Sequence, residues 1–216
     1  QYIDGEFYGL STWYRWKDTA NYNLDPSNPK HYQLDTVNHT PWWEITAEDF
    51  KTRSPNTWGP EQEADLARFK EYAGKTEADF RDSFEEAFDK QNAIDYFIFL
   101  QFYHLADNRE NNTQIISYDG QKWFFLPYDL DYSLGISWEG SGQIFAPHGI
   151  LIDKTSERFW GKFYRAFPQE IEARYAELRD KNILSLDSLY MYIKQRASRF
   201  TPEMIAAEYE KWPEKP

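Results

Sequence analysis

LADNRENNTQIISYDGQKWFFLPYDLDYSLG, residues 105–135, predicts a β-hairpin with acidic residues beside both of its chain ends. Two β-prone segments flank Asp119-Gly120, a dipeptide typical of hairpin turns, and place the hairpin over residues 113–126. An antiparallel hairpin brings the start of its first strand beside the end of its second. The polar side chains expected at that edge are Asp107, Asn112 and Asp129, with Asp131 as a further candidate. Carboxylate and amide oxygens gathered in this way suit a hard cation, so we expect Mg²⁺ or Mn²⁺ to bind there.

The spacing of these residues also matches the catalytic loop and metal site of a kinase. Asp107 and Asn112 form D-x-x-x-x-N, and Asp129 stands across the hairpin, where protein kinases place a metal-binding aspartate. The alternative is purely structural, since Asp and Asn favour turns. Under that interpretation Asp107, Asn111 and Asn112 form a turn, while Asp129 and Asp131 cap the next segment. Spacing alone leaves both interpretations open.

The same stretch resembles the CotH (spore-coat protein H) kinase family of atypical kinases. The residues that carry the resemblance are Asp107, Asn108, Asn112, the run Trp123–Asp131 and Gly135. The N-terminal run Ile3–Leu10 also resembles a hairpin in the smaller lobe of that family. The resemblance covers most of the chain and is loosest between residues 17 and 90.

The resemblance implies Mg²⁺-dependent transfer of phosphate from ATP to a protein serine. It implies that Asp107 is the catalytic base or orients the substrate, and that Asn112 and Asp129 hold the metal and the nucleotide phosphates. Asp131 is a second metal ligand, a support for Asp129, or only a cap. The implied partner is a protein substrate or a surface protein, and the implied location is extracellular, at the cell surface or on a spore.

The fold expected from the resemblance is α+β and protein-kinase-like. Residues 1–60 are expected to form part of a small β-containing N-terminal lobe, and residues 61–216 a mainly helical lobe that carries the hairpin. Because the chain opens abruptly at Gln1, in what reads as mid-strand, we expect it to be a fragment that lacks part of the N-terminal lobe.

The chain departs from the kinase pattern where kinases place a phosphate-holding lysine. That lysine lies on an N-lobe strand, but the candidate strand over residues 31–36 contains none. Lys30 precedes this strand, and Lys17 and Arg53 are other candidates, although such residues are more often solvated surface cations. No G-x-G-x-x-G loop is present. A kinase-fold binding module without activity, in a secreted, surface, spore or phage-associated protein, is therefore the alternative function.

Local patterns predict the remaining elements. The predicted helices cover residues 60–74, 76–88, 92–104, 154–166, 168–181, 185–198 and 201–211. The helix over 92–104 is nearly all apolar, so we expect it to be buried and to lead directly to Asp107. A hairpin is expected within residues 2–14, and a Gly-rich mobile loop over 132–152. Residues 37–60 are expected to be irregular, with Trp42, Trp43 and Trp58 buried.

Composition excludes some classes of protein. The net charge of −12 repels nucleic-acid phosphate, so nucleic-acid binding is not expected. The absence of cysteine excludes disulfides, and no apolar run is long enough to span a membrane. Aromatic residues make up 19% of the chain, which favours heavy core packing but leaves open a sugar-binding cleft. Glycoside hydrolysis by two carboxylates across such a cleft is the third function considered.

Overall fold

The computed structural model describes residues 2–10, 17–136, 155–156 and 158–213. The fold is mixed α+β, as predicted, and the chain divides into two compact units. One unit joins the two ends of the chain, residues 1–16 and 176–216, and the other is Lys17–Tyr175. Among the described residues, no helix is both long and apolar enough to cross a bilayer.

The described residues of the unit formed by the chain ends contain a short hairpin, two complete helices and the end of a third, which begins in the larger unit. Strands β1 (Tyr2–Ile3) and β2 (Glu6–Phe7) pair in antiparallel fashion through a turn with positive φ at Asp4 and Gly5. This confirms the predicted hairpin for residues 2–7, while residues 11–14 lie outside the described part. The unit's complete helices are α6 (Leu186–Ala197) and α7 (Pro202–Lys211), and both were predicted. Their N-caps are the hydroxyl residues Ser185 and Thr201.

The larger unit contains one antiparallel sheet with strand order β4-β3-β5-β6. Its strands are β3 (Tyr32–Thr36), β4 (Phe50–Ser54), β5 (Thr113–Ser117) and β6 (Trp123–Pro127). The predicted hairpin is therefore confirmed, and its register pairs Thr113 with Pro127 at the open end. Its loop is wider than a two-residue turn, since the last pair is Ser117 with Trp123, and within it the Asp119 carboxylate accepts the backbone N–H groups of Gln121 and Lys122.

The prediction that residues 37–60 are irregular is wrong in part. A 3-10 helix at Ala47–Asp49 leads into edge strand β4, whose sequence FKTRS buries only its two end residues. Because charged side chains interrupt the strand, no apolar alternation signals it. Trp42 is buried as predicted, whereas Trp43 and Trp58 are only half-buried. One sheet thus combines strands from both sides of residue 60, and the division into lobes there stays a prediction.

The described part of the chain contains five further α-helices and two more 3-10 helices, Thr19–Tyr22 and Asp107–Arg109. The α-helices are α1 (Pro60–Gly74), α2 (Glu77–Ala87), α3 (Lys90–Tyr103), α4 (Phe159–Ala166) and α5 (Pro168–Asp180). All were predicted, although α4 begins later than residue 154. The loop expected over 132–152 falls mostly on residues 137–154, which lie outside the described part.

The core of the larger unit consists mainly of aromatic side chains. Trp42 stacks on Phe125 of β6 with ring centroids 4.9 Å apart and planes 10° from parallel. Phe88 also stacks with Phe125, with ring centroids 5.7 Å apart, and Phe159 of α4 contacts all three rings. Much of the aromatic excess is therefore used in packing, which positions α4 and the hairpin against each other.

Truncation of the buried helix α3 should be costly. Phe97 and Ile98 are almost fully buried on it, so Phe97→Ala or Ile98→Ala should lower the free energy of unfolding by about 2–5 kcal/mol. Urea denaturation measures this loss, with the exposed Gln91→Ala on the same helix as the control. Unchanged stability in both core variants would contradict the buried-helix assignment.

Candidate functional site

Asp107 and Asn112 meet at the open end of the hairpin. Helix α3 ends at His104, whose positive φ turns the chain into the loop that carries Asp107. The Asp107 Oδ2 atom accepts hydrogen bonds from the amide nitrogens of Asn112, at 2.6 Å, and Asn111, at 3.1 Å. Two donors therefore fix the orientation of this carboxylate, which lies partly exposed beside the sheet.

Asn108 joins this loop to the end of β6. It is fully buried, and its Nδ2 group donates to the backbone oxygens of Asn112, at 2.7 Å, and Tyr128, at 2.6 Å. The Tyr128 N–H also donates to the Asn112 oxygen. Asn108 thus holds both sides of the hairpin's open end together, immediately before Asp129. In the sequence, Asn108 stands out only as part of the family motif.

Asp129 follows Tyr128 in a left-handed conformation, with φ 55°, and is exposed, as is Asp131. The pKa of the Tyr128 hydroxyl is raised, first by burial and then by the negative charges of Asp35, Asp129 and Asp107. Three carboxylates from separate parts of the chain thus raise the pKa of the same hydroxyl. Among the described residues, no three acidic or histidine side chains form a metal-binding group by themselves.

Two of the candidate phosphate-binding cations, Lys17 and Arg53, lie near Tyr128 and share one carboxylate partner. Neither belongs to the strand predicted over residues 31–36. The buried carboxylate of Asp35 on β3 accepts from Arg53, at 2.6 Å, and lies 3.2 Å from the Lys17 ammonium. The Lys17 nitrogen also lies 3.5 Å from the centre of the Tyr128 ring. The third candidate, Lys30, instead pairs with Asp65, at 2.8 Å, near the opposite end of β3.

His39 contacts the second oxygen of Asp107, which the sequence gave no reason to expect. Its Nε2 atom lies 3.3 Å from Asp107 Oδ1. The turn that carries His39 is held by Asp49, whose carboxylate accepts from the side chains of Asn38, at 3.0 Å, and Thr40, at 2.8 Å. Burial alone would raise the pKa of Asp49, but these bonds, with those from Thr46, outweigh it and lower the pKa to about 2.

Asp49→Asn should therefore remove an acid-sensitive contribution to stability. Because the folded-state pKa is depressed, the contribution is complete above the unfolded-state value near pH 4 and is lost as the pH falls through about 2. Solvent screening reduces it to about 1–2 kcal/mol. Melting temperatures at pH 7 and pH 2 should show a difference between wild type and Asp49→Asn that shrinks in acid. The exposed neighbour Glu48→Gln is the control, and a difference independent of pH would contradict the assignment.

A cavity of about 80 Å³ adjoins His39. It is lined by Arg109, Glu110, Arg158 and Trp160, among others. Glu110 is buried and forms an ion pair with Arg158, while the Trp160 indole donates to the Arg109 carbonyl at 2.8 Å. Burial raises the pKa of Glu110, although Arg158 opposes the shift. The loop that carries Asp107 is therefore also fixed to the start of α4.

These features define an α+β protein with a polar site at the open end of a β-hairpin, where a carboxylate, amides and two cations come from separate elements. A family model described as CotH kinase protein matches residues 1–215. The chain therefore belongs to the CotH kinase family, which confirms the resemblance seen in the sequence. No curated protein matches the chain.

Proposed function

We propose that this chain is a CotH-like kinase domain that transfers phosphate from ATP to a protein serine with Mg²⁺ or Mn²⁺. The observation that carries the proposal is the Asp107–Asn112 contact at the hairpin edge, together with the two cations, Lys17 and Arg53, that Asp35 holds on β3. Family membership supports it, since the description of the family is that of a kinase. An extracellular, cell-surface or spore-associated location stays a prediction.

Asp107 would act as the base for the acceptor hydroxyl. Its Oδ2 atom accepts from two amide donors, whereas Oδ1 has only His39 beside it and keeps a lone pair for the serine proton. The serine oxygen then bonds to the γ-phosphorus of ATP while the bond to the ADP oxygen breaks. The fixed carboxylate contributes mainly orientation, which is a large part of catalysis in phosphoryl transfer.

The residues present fit a divalent cation. Because the Asn112 amide nitrogen binds Asp107, its side-chain oxygen remains for a ligand, and Asp129 is exposed. Nearby, the buried side-chain oxygens of Asn108 and Asn111 have no hydrogen-bond partner among the described residues. One or two carboxylates with amide and phosphate oxygens is a usual Mg²⁺ environment. When bound, the cation neutralises charge on the transferred phosphate, and Asp131 is proposed as a further ligand or a support for Asp129.

Lys17 and Arg53 would hold the nucleotide phosphates. Asp35 fixes both cations, in the way that an acidic partner fixes the phosphate-binding lysine of protein kinases. Both side chains keep about a quarter of their surface exposed, so they remain accessible to an anion. Lys30 has no such role in the proposal because it pairs with Asp65.

Transfer from γ-labelled ATP in the presence of Mg²⁺ tests the proposal, with the chain itself and a generic serine-containing protein as acceptors. Asp107→Asn and Lys17→Ala should each reduce the rate by at least about a hundredfold. Lys30→Ala is the matched control and should retain activity. Transfer that survives Asp107→Asn would contradict the site, and ATP binding without any transfer would favour the inactive binding module.

A further inference from the structure

Asp107 has a protein partner on each of its oxygens, and His39 is the partner on the side where the acceptor must approach. The amides of Asn111 and Asn112 bind Oδ2, whereas the His39 Nε2 atom lies 3.3 Å from Oδ1. A carboxylate oxygen has two lone pairs, so Oδ1 can accept from His39 and still accept from a serine hydroxyl.

The fold presents His39 independently of this contact. The preceding residue, Asn38, and the following residue, Thr40, both donate side-chain hydrogen bonds to the Asp49 carboxylate. The Val37 N–H donates to the Asp49 backbone oxygen at 3.1 Å, directly after β3. Because the backbone on both sides is fixed, the direction in which the His39 side chain leaves the main chain is set by these bonds. The side chain is 68% exposed, and its imidazole contacts Asp107.

We propose that His39 is a positioning residue for Asp107, an inference that rests on the proposed kinase function. At 3.3 Å from Oδ1, the Nε2–H group would donate to that oxygen and fix the plane of the carboxylate, together with the two amides on Oδ2. Each oxygen of the base is then restrained, and the free lone pair of Oδ1 is held in one direction for the acceptor hydroxyl. His39 acts through Asp107 and contacts no reacting atom.

The charged groups around His39 are consistent with a positioning role. Asp107 faces it directly, and Arg109, Glu110 and Arg158 line the adjoining cavity. Glu110 is already paired with Arg158, so Asp107 is the carboxylate in contact with the imidazole among these residues. An exposed pair of this kind contributes little to stability, and its removal should leave the fold intact.

The test compares His39→Ala with His39→Gln in the phosphoryl-transfer assay. His39→Ala should lower kcat about tenfold, because misplacement of a catalytic group by an ångström can cost up to about a hundredfold. The KM for ATP and the melting temperature should not change. His39→Gln should restore most of kcat, since its side-chain amide can donate to the same oxygen. Two active variants with wild-type kcat would overturn the inference and leave the proposed function standing.

A second measurement does not depend on activity. The ring resonances of His39, assigned by their loss in His39→Gln, should shift in Asp107→Asn more than those of His31, which lies at the far end of β3. An unchanged His39 spectrum would show that the contact is absent and would overturn the inference by itself. If the wild type transfers no phosphate although the resonances shift, the proposed function fails while the contact on which the inference depends is supported.

Discussion

Asp129→Asn should lower the rate of Mg²⁺-dependent phosphoryl transfer by at least about a hundredfold, while the metal-free protein melts at the same temperature as wild type. A bound metal ion contributes several kcal/mol of charge stabilisation, which is reduced when one of its ligands is lost, and each 1.36 kcal/mol corresponds to a factor of about ten in rate. The fold should tolerate the change because Asp129 is exposed with φ 55°, a conformation that asparagine adopts readily. The assay is transfer from γ-labelled ATP under saturating Mg²⁺.

The same variant should lose most of its stabilisation by the metal alone. A ligand that binds only the folded state stabilises it by about 2.7 kcal/mol at a hundredfold excess over its Kd. Thermal shifts across a Mg²⁺ titration measure this for wild type, Asp129→Asn and Asp82→Asn. Asp82 is exposed, so its variant controls for the loss of one negative charge from a chain of net charge −12. Equal shifts in all three proteins would show that no specific cation binds at Asp129.

The parts of the site that could be predicted from sequence are those set by local chain geometry. The hairpin followed from two β-prone segments around Asp119-Gly120, and its register brings residue 112 beside residue 128 without any knowledge of the tertiary fold. Helix caps such as Thr201 and the apolar run of α3 were equally local signals. Such features depend on neighbours in the sequence, so one chain is enough to reveal them.

The parts that could not be predicted depend on contacts between distant segments. His39 and Asp107 meet only because β3 pairs with β5, and Lys17 reaches Tyr128 only because Asp35 lies inside that sheet. A lone histidine or lysine carries no periodic signal. Strand β4 was missed for a related reason, since an edge strand can retain charged residues on its exposed positions.

Asn108→Asp should destabilise the protein by about 3–5 kcal/mol at neutral pH, which is the range for a buried charge without a partner. The Asn108 amide nitrogen donates to two backbone oxygens, at 2.6 and 2.7 Å, and the side chain is fully buried. An ionised carboxylate at residue 108 has no hydrogen to donate. Its negative charge would therefore face the two backbone oxygens that now accept from the amide. The connection between the Asp107 loop and the chain before Asp129 would be lost, so phosphoryl transfer should fall as well.

The pH dependence of this effect separates a buried charge from a simple loss of shape. The folded state would favour the protonated acid, so the deficit should be largest well above the unfolded-state pKa of about 3.9 and should shrink toward pH 4. Urea unfolding at pH 4.5 and pH 7 measures it. Asn56→Asp makes the same change at an exposed position and should stay within about 0.5 kcal/mol of wild type. If Asn108→Asp were as stable as Asn56→Asp at pH 7, Asn108 could not be the residue that holds the two sides of the site together.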